Sequence, residues 1–209
     1  MQSSRRALPN TAAKVEKYRR RYDEIIDAAA AVFAEKGYHG ASTKDIADRL
    51  GIRQGSLYYY FASKESALEE VCQKGVEGFV QGIENVLARG GGGETQLRAA
   101  VLNHLEPLNT RPTYVRVFLR DRHDLPQASR RKIGKASRQY ESLLEGLFRA
   151  GVERGDFRAG LDCRLATLAM LGMCNAAASW YTEGEGIFLE ALAESFATLI
   201  LSGTTAKNG

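Results

Sequence analysis

Between Gly37 and Gly51 the chain has room for a single short helix, and this spacing constrains the fold more than any other feature. Ahead of Gly37, from Lys17 to Lys36, Ile25, Ile26, Ala29, Val32 and Phe33 recur at helical intervals. A glycine just past such a run is a helix stop. Ser42 followed by Asp45 forms a capping box, which opens a second helix with Ile46, Ala47 and Leu50 on its inner face. Gly51 ends that helix after two turns, and a third short one runs through Leu57 to about Phe61. Ser63 and Ser66, around Lys64 and Glu65, mark a fresh start at Lys64. Two short helices joined by a glycine turn make a helix-turn-helix.

Beyond Lys64 the signals stay helical. A long helix is predicted from Lys64 to about Arg89, where it meets the glycine run Gly90 to Gly93. Pro107, Pro112 and Pro126 divide the middle of the chain into short helices. Residues 127–150 carry Ile133, Tyr140, Leu143, Leu144, Leu147 and Phe148 at helical intervals, and Gly151, Gly155 and Gly160 form the next break. Two last helices are predicted, roughly Cys163 to Tyr181 and Gly186 to Leu201. The expected fold is all-α with about nine helices and neither strands nor repeats. Residues 1–16 are expected to be a flexible basic arm and 17–64 the helix-turn-helix domain. Residues 65–203 would form a larger helical domain, and 204–209 a tail.

Charge is distributed unevenly. Residues 1–64 hold 12 Lys/Arg against 7 Asp/Glu, whereas residues 65–209 hold 17 against 18. A basic head on a nearly neutral body suits a module that meets a polyanion, although a solvated basic tail over residues 5–21 gives the same numbers. With 44% hydrophobic residues and no long apolar run, the chain reads as a globular protein without a membrane span. The N-terminus has no apolar stretch of the secretory kind. Cys72, Cys163 and Cys174 lie far apart and fit reduced thiols, so a cytoplasmic location is expected. His39, His104 and His123 are scattered, Cys163 and Cys174 are too widely spaced for a clustered metal pair, and Gly90 to Gly93 lacks a nearby lysine. Neither an enzyme nor a metal or cofactor site is therefore expected.

The helix-turn-helix carries the chemistry of duplex recognition, with its second helix placed in the major groove. Gln54 can pair with an adenine edge, and Ser56 can donate to or accept from a base or phosphate. Gly55 keeps the start of that helix slim. Tyr58, Tyr59 and Tyr60 offer hydroxyls to phosphates and ring faces to sugars or thymine methyls. Lys64 adds a charge at a helix N-terminus, and Thr43 and Lys44 can hold the backbone across the groove. Leu57 and Phe61 belong to the core.

Residues 19–72 resemble the N-terminal domain of the TetR family of regulators. The likeness rests on Ala29, Phe33, Gly37 and Tyr38, on Thr43 with Ile46 and Ala47, and on Gly51, Gly55, Ser56, Leu57, Tyr58, Tyr60, Phe61 and Lys64. It implies DNA contacts at Thr43, Lys44, Gln54, Gly55, Ser56, Tyr58, Tyr59 and Lys64. Arg53 stands where the family usually has serine, which removes a helix cap and puts a cation beside the DNA. Arg53 and Tyr60 join the contact set on physical grounds.

From Leu165 to Trp180 the chain is apolar almost all round and rich in small residues, so that helix must be covered on all sides. The resemblance implies that it pairs, with the last helix, against a second copy, forming a homodimer on a palindromic operator in double-stranded DNA. It also implies a small-molecule effector. The middle of the chain resembles a subgroup that answers to acyl-coenzyme A thioesters, through Phe118 to Asp121, Asp124 to Pro126, Gly151 to Phe157, Leu171 to Met173, and Trp180 with Tyr181. Arg116, Arg120, Arg122, Arg130, Arg131 and Lys132 can meet phosphates near a pocket mouth, and Phe118, Met170, Met173 and Trp180 can line an apolar interior. Arg116, Phe118, Arg120, Met170, Met173 and Trp180 form the expected ligand set. Release of a repressor from DNA by this effector is the expected function. The alternative is an architectural DNA-binding protein that needs no effector.

Overall fold

The computed structural model describes residues 10–205, so residues 1–9 of the expected arm and 206–209 of the expected tail lie outside the described residues. The chain divides into two compact units, Met1–Val71 and Cys72–Gly209. The division falls inside a helix that the sequence places from Lys64 onward.

In the first unit, α1 (Asn10–Gly40) buries Ile25, Ile26, Ala29, Val32 and Phe33, the residues its periodicity selects. It starts well before Lys17, because Ala13, Lys14 and Glu16 are good helix formers even where they bury nothing. Gly37 interrupts it with φ 71° and ψ 162°. α2 (Thr43–Arg49) and α3 (Gln54–Leu57) follow, and α4 (Lys64–Val76) begins. Ile46, Ala47, Leu57, Phe61, Ala67 and Leu68 complete the small core.

The second unit begins with the end of α4. The helix predicted to reach Arg89 breaks at Gly78, whose φ of 83° is left-handed, and resumes as α5 (Phe79–Ala88). Arg111 donates to the Lys74 carbonyl at 3.0 Å and to that of Glu77, taking up carbonyls that the end of α4 leaves without helical partners. α6 (Gly93–Leu105) starts after the glycine run. Pro107 and Pro112 open α7 (Pro107–Thr110) and α8 (Pro112–Asp121), and Pro126 precedes α9 (Gln127–Arg154). α10 (Cys163–Ala177) and α11 (Leu189–Thr204) close the fold. Among the described residues nine helices span seven residues or more, as expected, while α3 and α7 are four-residue turns. No described helix is long and apolar enough to cross a membrane.

Gly151 does not break the chain. α9 runs on to Arg154 and stops at Gly155, whose φ is 79°. Gly151 is glycine because the Phe157 ring folds back onto it: a Cβ there would stand 2.2 Å from a ring carbon. Phe157 is itself buried, packed on Phe148 at 5.6 Å. Gly151→Ala is therefore expected to lower the stability of the second unit by about 1–3 kcal/mol, the usual range for overpacking. The thermal midpoint should fall by about 2–4 °C per kcal/mol; an unchanged midpoint would contradict this packing.

Candidate functional site

The capping box at α2 is complete. Ser42 accepts from the Asp45 amide at 3.2 Å, and the Asp45 carboxylate accepts from the Ser42 amide at 2.8 Å. Lys36 reaches the same carboxylate at 2.5 Å, and with Ser42 it holds the Asp45 pKa down at about 2. The turn after α2 is closed by Gly51 N–H to Asp48 O and Ile52 N–H to Ala47 O, 3.1 and 3.0 Å. This is a Schellman pattern, and Gly51, with φ 62°, supplies the left-handed residue it needs.

Capped at one end and tied at the other, α2 meets α3 through polar side chains. Gln54 donates its amide to the Thr43 hydroxyl at 2.7 Å, and the Tyr58 hydroxyl lies 3.4 Å from the same oxygen. Arg53 is the N-cap of α3 and makes no side-chain cap bond, as its replacement of a serine leads one to expect. Arg53, Gln54, Gly55 and Ser56 are exposed, and Tyr59 is 75% exposed. Gly55 has no atom within 4 Å of its Cβ position and no positive φ, so nothing inside the protein calls for glycine there. Tyr60 is stacked on Tyr18 of α1 at 5.4 Å. Lys44 pairs with Asp48 at 2.5 Å on the surface. Lys64 is turned inward: it donates to the carbonyls of Tyr38 and Ala41 at 2.9 Å each and lies over the Tyr38 ring. It ties α4 to the end of α1.

The second unit is hollow. A cavity of about 80 Å³ is walled mainly by apolar residues, including Val76, Phe79, Phe118, Leu119 and Leu171. One wall is polar. His104 Nδ1 lies 3.0 Å from Tyr140 Oη and Nε2 lies 3.1 Å from Asn175 Oδ1, which accepts from it, and the ring is stacked near that of Tyr140 at 5.7 Å. Next to the cavity, and sharing Phe118, Arg122, Ser137 and Glu141 with it, lies a vestibule of about 280 Å³. Its lining adds His123, Arg130 and Arg138. Arg122 stands over the Phe118 ring at 5.2 Å, where the two spaces meet.

Residues 25–71 match the bacterial regulatory proteins of the tetR family, and residues 90–204 match the tetracyclin repressor-like C-terminal domain. The chain belongs to the TetR family. It is 28% identical to the transcriptional repressor KstR2 of Rhodococcus jostii, over 90% of this chain and 93% of that protein. FadR of Bacillus subtilis, solved in complex with stearoyl-CoA, is 28% identical with a TM-score of 0.70, covering 87% of this chain and 98% of that one. KstR2 of Mycobacterium tuberculosis shares the fold, with a TM-score of 0.83 at 24% identity over 90% of this chain and 96% of that one.

Within this TetR-type chain the six residues expected at the ligand are not brought together. Phe118 lines the cavity. Arg116 spends its donors on the carbonyls of Ala178 and Tyr181, at 3.0 and 2.8 Å, closing the end of α10. Arg120 grips buried Asp121 through two bonds, and both arginines border a second depression, which shares Leu119 and Asn175 with the cavity. Met170 and Met173 line a groove between α10 and α11. Trp180 is half exposed, edge-on to Phe196. Arg122 and Arg130 do stand at a pocket mouth, whereas Arg131 and Lys132 do not line it. His104, Tyr140, Asn175 and Arg138 carry no local motif; a histidine within an apolar helical run was the one available signal.

Burial lowers the His104 pKa to about 4, against 6.5 for a free imidazole. The unfolded chain then binds a proton between these values that the folded chain refuses, so stability is full above pH 6.5 and is lost as pH falls toward 4. The loss is expected to be on the order of 3 kcal/mol. Chemical unfolding at about pH 7 and about pH 5 should show about 2 kcal/mol of this loss in the native chain, and little of it in His104→Gln. An equal drop in both would assign the effect elsewhere.

Proposed function

We propose that this protein is a homodimeric repressor that binds a palindromic operator and leaves it when an acyl-coenzyme A thioester enters the second unit. The observation that carries this reading is the junction of the two spaces at Phe118 and Arg122. An acyl thioester has an apolar tail joined to a polyanionic nucleotide, and an apolar cavity opening onto three arginines complements both halves. The stearoyl-CoA complex of the FadR relative supports the same ligand class. A cavity of about 80 Å³ is too small for a long chain, so entry must part its walls. A ligand that binds a widened state better than a closed one shifts the population toward it. Gly75 and Val76, in the last turn of α4, are part of that wall.

The dimer rests on α10. Leu165, Leu168, Ala169, Gly172 and Ala176 form an outward stripe at helical spacing, and all are exposed within one chain. Leu199 and Phe188, 64% and 81% exposed, continue the apolar surface on and just before α11. Gly172 meets nothing within 4 Å at its Cβ position. A mid-helix glycine costs about 1 kcal/mol relative to alanine, and the close approach of a partner helix gives it a use. A two-fold axis through this face presents two helix-turn-helix units to an inverted repeat. There Gln54, steadied by Thr43, reads a base edge; Ser56, Tyr58 and Tyr59 contact the duplex over Gly55; and Lys44 and Arg53 meet phosphates. Tyr60 and Lys64 brace the motif from behind.

Three outcomes are expected. Leu168→Glu should convert the sedimenting species from dimer to monomer without loss of helicity, and a dimer of undiminished mass would refute the seam. Gln54→Ala should reduce discrimination at one base pair by about 1–3 kcal/mol, whereas Lys44→Ala should weaken all duplexes alike and lower the salt slope by about 0.9. Equal effects of the two on specific and random duplexes would undo these roles. Arg130→Glu should weaken octanoyl-CoA binding in calorimetry several-fold, and more at low salt, as expected when an exposed phosphate partner is reversed in charge; unchanged affinity would remove the vestibule from the ligand site.

A further inference from the structure

The polar wall of the cavity has a hydrogen-bonding surplus, and the surplus can be located by counting. His104 is enclosed and neutral, so its ring has one N–H and one bare nitrogen. Both nitrogens are engaged, Nδ1 by the Tyr140 hydroxyl and Nε2 by the Asn175 amide. If Nε2–H donates to Asn175 Oδ1, then Nδ1 accepts from Tyr140, and both N–H groups of Asn175 are left over. If the amide is turned round and the tautomer reversed, one Asn175 N–H goes to Nε2 and the other is left over. Either way, at least one Asn175 N–H is not used by this network. Asn175 lines the cavity one turn beyond Leu171 and, with Leu119, also borders the depression beside Arg116 and Arg120, so the unused donor is carried at the edge of the space in which an acyl chain would lie.

An unused donor at the edge of a mainly apolar cavity penalises any occupant that cannot accept from it. In water such a group is solvated, and burial without an acceptor costs its hydrogen bond. A ligand that displaces the solvating water keeps its affinity where it supplies an acceptor in the same place. We infer that Asn175, clamped by His104 and Tyr140, is the hydrogen-bond donor that selects a carbonyl oxygen in the acyl portion of the effector. The clamp matters because it fixes the direction of the amide; a free asparagine would turn to follow any ligand. Tyr140 and His104 are positioning residues, and Asn175 touches the ligand. The acceptor is either the thioester carbonyl or a second carbonyl along the chain. This inference rests on the acyl-coenzyme A reading above.

Calorimetry of the full chain with three probes tests it: octanoyl-CoA, its β-keto counterpart, and octyl-CoA, a thioether with no acyl carbonyl. The native chain is expected to bind at least one carbonyl probe about five- to tenfold more tightly than the thioether, the value of one neutral hydrogen bond. A preference confined to the β-keto probe places the acceptor in the chain; one shared by both carbonyl probes places it at the thioester. Asn175→Leu should bring the ratio close to one while leaving thioether binding intact. Asn175→Asp still accepts from His104 Nε2 but carries no N–H, so it should lose the preference too, and it covers the case in which the leucine variant does not fold. Retention of the native ratio in either folded variant overturns the inference, as does equal binding of all three probes by the native chain; the acyl-coenzyme A reading survives both results. If none of the probes bound the native chain, that reading would fail and this inference with it.

Discussion

A helix apolar on every side has to be covered on every side, and α10 is such a helix. Met170, Cys174 and Ala177 face the core of its own unit. Leu171 and Asn175 face a cavity, and Leu165, Leu168 and Gly172 face outward. In the proposed repressor each exposure has a different remedy: packing by α6 and α9, occupation by the effector, and pairing with a second chain. The first remedy is complete within the chain. Under the proposed function the effector and the partner chain would act through the other two on the same element, which is a physical basis for linking ligand occupancy to the geometry of a dimer.

The two units are built on different economies of order. The helix-turn-helix is only two short helices, too short to persist alone, and local devices hold it: a capping box, a Schellman turn, and Lys64 fastened to the Tyr38 and Ala41 carbonyls. Its outward side is left with polar groups that make few demands on each other. The second unit instead relies on a large apolar core running from Ile83 to Leu201, interrupted where His104 is buried. A rigid reading head and a body with a small, partly polar hollow suit opposite tasks, the first to hold a geometry and the second to change one.

Much of the helix-turn-helix was legible in the sequence because its determinants are local. Ser42 with Asp45, and Gly37 and Gly51 at helix ends, report on structure within a few residues. The same locality misled in two places. Gly78 sits among residues that continue a helical pattern on both sides, and Gly75 and Gly82 nearby stay helical, so nothing near it announces a left-handed break, while Gly151 looks like a break and is instead the seat of Phe157, six residues on. The six residues expected at the ligand lie apart for reasons that local sequence does not carry. Arg116 and Arg120 resemble free surface cations until their partners Ala178, Tyr181 and Asp121 are placed in space. Met170 and Met173 lie on a helix that is apolar all round, and periodicity there has no phase from which to tell cavity from groove. His104, Tyr140 and Asn175 meet from three helices, a juxtaposition that no spacing in the chain encodes.

The proposed effector site has two halves, an apolar cavity and a cationic vestibule, that must be filled together. Its most direct test is a preformed complex with an operator duplex, challenged in turn by octanoyl-CoA, free coenzyme A and free octanoate, with release followed by fluorescence anisotropy. Release by the thioester, and by neither half at the same concentration, is the expected result. Release by coenzyme A alone, or retention of the duplex against all three, would contradict it.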